Sequence, residues 1–338
     1  MELQTLWFIL WGLLWAVYFS LDGFDFGAGM LNILLGRDET DRRAIVGAIG
    51  PVWNGNEVWL ITAGGATFAA FPGTYAAMFS YLYLPLLLIL FGLIFRGVGL
   101  EFRGKIDFPG GNGIADAAIF LGSFLPALLF GVAFGNIFQG LPVDASGYHG
   151  SLMTLLNPYG LLSGLLFVLF FLMHGALYLA MKTEGDLRLR TIKTAGMLWA
   201  GLLFTITVFL VLTHFRTALS LNYRTAPAFL VMPAASVTAL LSVRFFLSGA
   251  RYTGAFIASF FSLLSLILTG IVGLYPNLIP SSIDPKYSLT IFNTSSGSYT
   301  LTIMTIVALA LIPVVIAYQA WVYRIFRGTV REDPSGGY

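Results

Sequence analysis

Two acids three residues apart, Asp22 and Asp25, interrupt an otherwise apolar segment, Ser20-Leu21-Asp22-Gly23-Phe24-Asp25-Phe26-Gly27-Ala28-Gly29. On a helix this spacing puts both carboxylates on one face. The glycines thin that face, so a neighbouring helix, water or a partner subunit can come close. A second apolar segment carries Asn54 and Glu57, again three apart, in Trp53-Asn54-Gly55-Asn56-Glu57-Val58-Trp59. A third carries His174 in Leu172-Met173-His174-Gly175-Ala176. Asp25, Glu57 and His174 are each expected roughly 10–15 Å from the same end of their helices, at 1.5 Å per residue. Carboxylates, an imidazole, an amide and water at one level are what a proton path needs. Ionisable groups inside a membrane span cost about 2.5–3.5 kcal/mol at the helix centre, so they count as functional candidates by default.

Each candidate also has a plainer reading. Asp22 and Asp25 could pin a helix break at the glycines, and Glu57 could be the structural partner of an arginine. His174 invites comparison with haem ligation, but with no second histidine at its depth it reads as a hydrogen-bonded packing residue. Asp116 is expected to meet the N-terminal dipole of its helix, and His149 and His214 to sit in water at helix ends. Arg96, Glu101, Arg103, Trp53 and Trp59 are candidates for an interfacial network or subunit contact.

The elements that hold these residues must be membrane helices. Of the 338 residues 57% are hydrophobic and 10% charged, against about 25% charged in soluble domains. Apolar runs of spanning length occur at Leu6–Leu35, Val52–Phe71, Ala77–Arg96, Ala115–Phe138, Tyr159–Met181, Ala195–Thr213, Ala228–Phe246, Ala255–Leu274 and Leu301–Ile325. The connections are short and polar, as in Phe108-Pro109-Gly110-Gly111-Asn112-Gly113. Backbone hydrogen bonding in lipid makes such runs helices. The expectation is an all-α integral membrane protein with nine transmembrane helices in one transmembrane domain.

Loops after the odd-numbered runs hold 15 of the 18 Lys and Arg residues, Arg96 and Arg331 among them; the other side has only Arg216, Arg224 and Lys286. The positive-inside rule then places the N-terminus outside and the C-terminus in the cytoplasm of a multi-pass cell-membrane protein. The apolar N-terminal run lacks a basic leader and a cleavage site, so it reads as a first span. A faint repeat, Glu39-x-Asp41-x-Arg43 and Glu184-x-Asp186-x-Arg188, suggests two four-helix units (1–138 and 159–274) plus one extra helix (301–325).

The sequence also narrows function by what it lacks. It has no cysteine, which excludes disulfides and thiolate metal sites. No nucleotide fingerprint or metal-binding carboxylate cluster appears, and a net charge of +2 gives no case for nucleic acid. A secondary transporter would suit the carboxylates, the glycine-interrupted helices and the repeat.

The segment Trp15-Ala16-Val17-Tyr18-Phe19-Ser20 and its continuation through Asp25 to Gly29 resembles the first helix of subunit II of cytochrome bd-type quinol oxidases. Pro51-Val52-Trp53-Asn54-Gly55-Asn56-Glu57-Val58-Trp59-Leu60 is similar to that family's W-[DN]-G-N-[EQ]-V-W segment. Leu100-Glu101-Phe102-Arg103, His174-Gly175-Ala176 and Lys182-Thr183-Glu184-Gly185 match as well, and the similarity runs the length of the chain. The resemblance implies two four-helix bundles plus a peripheral helix, with no cofactor bound by this chain. It implies a partner subunit I that carries the b-type haems and haem d, oxidises quinol and reduces O2 to water. Cytoplasmic proton entry is the role it implies for this chain, with the family's first-helix acid on Asp25 and its second-helix polar position on Asn54. Some relatives have Asp where Asn54 stands; an amide cannot relay a proton by ionising, so the route would pass through water or Glu57. A structural quinone or lipid and a small single-helix accessory subunit are further components such a complex could hold.

Overall fold

The computed structural model describes residues 2–106 and 109–330; Phe108 and Arg331 of the sequence reading lie outside the described residues. The helices are α1 (Leu3–Leu35), α2 (Glu39–Ile49), α3 (Trp53–Ala70), α4 (Pro72–Tyr81), α5 (Tyr83–Phe102), α6 (Gly111–Gln139), α7 (Leu152–Leu155), α8 (Pro158–Lys182), α9 (Gly185–Arg216), α10 (Ser220–Thr225), α11 (Val231–Ser248), α12 (Tyr252–Leu274) and α13 (Ser298–Ile325). Two short antiparallel hairpins complete the architecture: β1 (Val143–Asp144) with β2 (Gly147–Tyr148), and β3 (Asn277–Ile279) with β4 (Leu289–Thr290). A bridge from Leu141 to Ser281 brings the two hairpins to the same end of the molecule.

Among the described residues eight helices are long and apolar enough to cross a membrane: α1, α5, α6, α8, α9, α11 with the turn before it, α12 and α13. The ninth expected span corresponds to α3, which has 18 residues and falls outside that set. Asn54, Asn56, Glu57 and three glycines dilute its apolar character.

Local chemistry sets the helix ends. Asp38 caps α2 by accepting from the Asp41 backbone N–H at 2.8 Å, and Asn157 caps α8 through the N–H groups of Tyr159 and Gly160, with Pro158 at the first helical position. The third expected span, Ala77–Arg96, is misplaced. The chain breaks at Leu82, and α5 runs on to Phe102. Pro85 in the first turn of α5 needs no intrahelical partner for its nitrogen, so the helix can start here. Arg96 therefore lies inside α5 and is fully buried, not in a polar loop.

Helices in lipid associate by close packing and hydrogen bonds, not by excluding water. Here α1 is central, packing on α3, α6, α8 and α12, while α5 pairs with α6, α8 with α9 and α11 with α12. The crossing of α1 and α8 is close enough to require glycine on both sides. A Cβ on Gly27 would stand 1.8 Å from the Phe171 carbonyl oxygen, and one on Gly175 would stand 2.5 Å from the Ala28 nitrogen. Beside this crossing the rings of Trp15, Phe19, Phe130, Phe134, Phe167 and Phe171 interlock, mostly edge to face. That packing fixes the rotation of α1, and with it the direction in which Asp22 and Asp25 point.

Candidate functional site

The structure gathers Asp22 and Asp25 of α1, Asn56 and Glu57 of α3, and Arg96 of α5 into one buried cluster. Arg96 Nη2 donates to Asp22 Oδ2 at 2.9 Å and lies 3.6 Å from Glu57 Oε1. Its guanidinium also sits 4.1 Å from the centre of the Phe26 ring, a cation–π contact of the kind that strengthens with burial. Both Arg96 and Asp22 are fully buried, whereas 20% of the Glu57 side chain is exposed. Glu57 is thus the point where the cluster reaches the surface of this chain.

Asp25 is held differently. Its Oδ2 accepts from Asn56 Nδ2 at 2.7 Å. Asn56 Oδ1 in turn accepts from Tyr323 Oη at 2.8 Å and from Gln319 Nε2 at 2.9 Å, both on α13. Gln319 Oε1 accepts from Trp59 Nε1 at 2.6 Å. Sequence reasoning missed this chain of amides. Asn54, the position it favoured, is exposed on the outer side of α3, and Asn56, two residues on, faces Asp25. The available signal was that Gln319 is an amide within a 28-residue span, where an unpaired polar group is costly.

His174 belongs to another face of α1. Its Nδ1 is 2.6 Å from Ser259 Oγ, its Nε2 is 3.0 Å from the Ser20 carbonyl oxygen, and its ring stacks on Phe256 at 4.6 Å. Both ring nitrogens are engaged, so this imidazole does not fit an axial haem ligand, and it does not join the carboxylate cluster. The shared depth expected from sequence is looser in fact. At 1.5 Å per residue, Asp25 lies about 15 Å and His174 about 12 Å from their helix ends, but Glu57 only about 6 Å from the start of α3. Contact with Arg96, not equal depth, unites Glu57 with Asp22.

A second polar network closes the basic end of the molecule. Asp116 accepts from Arg103 Nε at 2.7 Å, Arg42 Nη1 at 3.0 Å and Asn32 Nδ2 at 2.6 Å. Its role is to bind three side chains together; it lies beyond the first turn of α6 and does not cap it. Arg103 also pairs with Glu39 at 2.9 Å. Burial alone would raise the Glu39 carboxyl, but hydrogen bonds from Arg103 and Arg43 outweigh it and hold Glu39 below the usual range. Glu101 meets Lys105 at 4.0 Å, so Arg96, Glu101 and Arg103 serve three separate contacts, not one interfacial network. Trp53 is buried beside Gly97 of α5. His149 at the hairpin end pairs with Asp144 at 2.8 Å. Among the described residues no group of three or more His, Cys, Asp or Glu side chains could hold a metal ion.

Comparison with known proteins decides the family. The family model for cytochrome bd terminal oxidase subunit II matches residues 3–326. The chain belongs to that family. It is 38% identical to cytochrome bd-I ubiquinol oxidase subunit 2 of Escherichia coli K12, across 98% of this chain and 96% of that protein. It is 37% identical to cytochrome bd ubiquinol oxidase subunit 2 of Bacillus subtilis, across 100% and 99%. Its fold is similar to that of a chain in the bd oxidase structure from Geobacillus thermodenitrificans, with a TM-score of 0.78 at 20% identity, covering 96% of this chain and 99% of that one. This oxidase subunit is therefore a membrane component of a respiratory oxidoreductase, which displaces the transporter reading. Its buried cluster has to be read within that setting.

Proposed function

We propose that this subunit II binds no haem itself, stabilises a haem-bearing subunit I, and carries protons from the cytoplasm toward that partner's oxygen-reducing site. The observation that carries the reading is the cluster of Asp22, Asp25 and Glu57 around Arg96. Two carboxyl groups contact one guanidinium, and the third, Asp25, lies beside Asp22 on the same helix face. In a low-dielectric interior the cluster is therefore neutral only when two protons are shared among the three. Such a cluster can accept a proton at the partly exposed Glu57 and release one deeper, at Asp25, without a net charge remaining in the membrane.

Water is the natural link between these groups. Trp15 Nε1, Tyr18 Oη, Asp22 Oδ1, Asp25 Oδ1 and Asn32 Oδ1 are buried with no hydrogen bond of standard geometry to a described residue. Their positions recur every three, four or seven residues, so they line one side of α1 over about 25 Å. Buried polar atoms without protein partners are where proteins hold internal water.

In the same reading the basic end faces the cytoplasm and the N-terminus lies outside, by the positive-inside rule. The helices divide into two four-helix units, α1, α3, α5 and α6 against α8, α9, α11 and α12, with α13 peripheral and α3 as a ninth span. The 18 residues of α3 reach about 27 Å, close to the thickness of a bilayer core.

The test is oxygen consumption and proton uptake by the assembled complex carrying Asp25→Asn or Glu57→Gln. Slowed turnover with normal haem content and assembly supports proton delivery. Wild-type turnover in both variants would make the carboxylates structural and leave the chain a scaffold.

A further inference from the structure

Five arginines at the basic end have carboxylate partners: Arg37, Arg42, Arg43, Arg103 and Arg190 pair with Asp186, Asp116, Glu39 or Asp41. Among the cations at that end that form no ion pair with a described residue, four, Arg188, Lys193, Arg244 and Arg251, line two neighbouring cavities. Lys193 and Arg244 line a cavity of about 440 Å3 between α9 and α11, together with Met197, Trp199, Ala200 and Leu247. Arg188 and Arg251 line a second, of about 310 Å3, with Tyr252 and Gly254. The two cavities are one helical turn apart, since Arg188 precedes Ile192 on α9 and Leu247 precedes Ala250 after α11. The acids nearest in sequence are turned away: Glu184 accepts from Thr329, and Asp186 serves Arg37 and Arg190.

The surroundings of the larger cavity are amphipathic. Toward the middle of the membrane α9 presents Met197 and Phe204, each at least 60% exposed. Trp199 is held as a fixed wall, its indole N–H donating to the Leu240 carbonyl at 2.7 Å. Nothing is found close to Gly196 except Arg244 Nη1 and Leu247, both at 3.8 Å from where a Cβ would stand, so the groove between the helices stays open. Paired cations above an apolar wall, beside a tryptophan at the interface, complement a ligand with a phosphate head and a hydrocarbon tail.

We propose that Lys193 and Arg244 bind the phosphate of an anionic phospholipid whose acyl chain lies along Met197 and Phe204, with the Arg188–Arg251 cavity receiving the remainder of the headgroup. The site is independent of the carboxylate cluster. Its occupant tethers the α9–α11 pair to the anionic leaflet.

The purified oxidase complex, stripped of lipid in detergent, is titrated with phosphatidylglycerol or with phosphatidylcholine of the same acyl chains, and adducts are read by native mass spectrometry. Wild-type complex is expected to retain a phosphatidylglycerol adduct in preference to phosphatidylcholine. The double variant Lys193→Gln/Arg244→Gln should bind it about thirtyfold more weakly, as two lost cations imply, and Arg244→Lys should keep most of the affinity. Both side chains are exposed, so the variants should assemble normally. Equal binding of the two lipids, or unchanged affinity in the double variant, overturns the proposal. So does displacement of the lipid by inorganic phosphate at concentrations matching the lipid, which would make the site one for free phosphate.

Discussion

The side-chain amide of Asn56 donates to Asp25 at 2.7 Å while its oxygen receives Tyr323 and Gln319 from α13. One amide therefore ties the acid of the first helix to the last described helix. Replacing Asn56 with Leu removes a hydrogen bond to a buried acid, typically worth about 1.5–3 kcal/mol when the acid is charged. It also strands Gln319 and Tyr323. Turnover is expected to fall by roughly a factor of ten or more, with haem content retained, measured as quinol-driven oxygen uptake per haem. Asn54→Leu, on the exposed side of α3, should have a much smaller effect if the route runs through Asp25.

Arg96 and Asp22 test what holds the cluster together. Arg96→Leu leaves Asp22 buried without its cation, a loss of about 3–5 kcal/mol for a broken buried pair. The expected readout is a lower yield of assembled complex and a lower thermal midpoint. Adding Asp22→Leu to the Arg96→Leu variant should recover much of that stability, since removing both charges is far cheaper than removing one. If the double variant is as unstable as the single one, the pair does not act as a unit.

Gly27 tests the α1–α8 crossing. Gly27→Ala drives a methyl into the Phe171 carbonyl and should cost more than the about 1–3 kcal/mol usual for overpacking. Gly201→Ala on α9, where an added Cβ meets nothing within 4 Å, should be neutral or stabilise slightly, by up to about 1 kcal/mol. The comparison is made from thermal unfolding of the two complexes in detergent.

Glu39 gives the basic end a defined response to acid. Its carboxyl is held below the usual range, so the stability it supplies is fully present above its unfolded value of about 4.3. That stability fades as pH falls through the lowered folded value. Its side chain is 42% exposed, so water screens the interaction and the contribution stays within the small range of surface pairs. The wild type should exceed Glu39→Gln in thermal midpoint at neutral pH, and the difference should shrink below about pH 4. A constant difference across that range would show that the Arg103 contact does not depend on charge.

Much of this was legible because apolar length and the i, i+3 spacing of acids depend on local chemistry alone. Asp22 and Asp25 were recognisable as a pair of acids on one helix face before any packing was known. Arg96 was placed at the membrane edge, not inside, because hydropathy sets a span's edge where a charge appears, and its burial depends on the acids of α1 and α3 that pair with it. The choice between Asn54 and Asn56 was equally hidden. Both are asparagines on one helix, and which of them faces inward depends on the rotation of α3 against α1. His174 carried two readings, a member of a proton path and a hydrogen-bonded packing residue, and two hydrogen bonds and a stacked ring match the second.

The last described helix has a consequence for how the subunit is made. Only 6% of the most apolar stretch of α13 is buried by this chain. At its far end the following segment is fastened to the end of α8: Lys182 donates to the Phe326 and Gly328 carbonyls, and Val330 N–H bonds the Lys182 carbonyl at 2.9 Å. α13 is also the last described helix to leave the ribosome. Asn56 can be clamped from both sides only after the segment carrying Gln319 and Tyr323 has been synthesised and inserted. Biogenesis therefore contains its own ordering: a chain stopped before Gln319 would carry the acids without the helix that clamps Asn56 beside them.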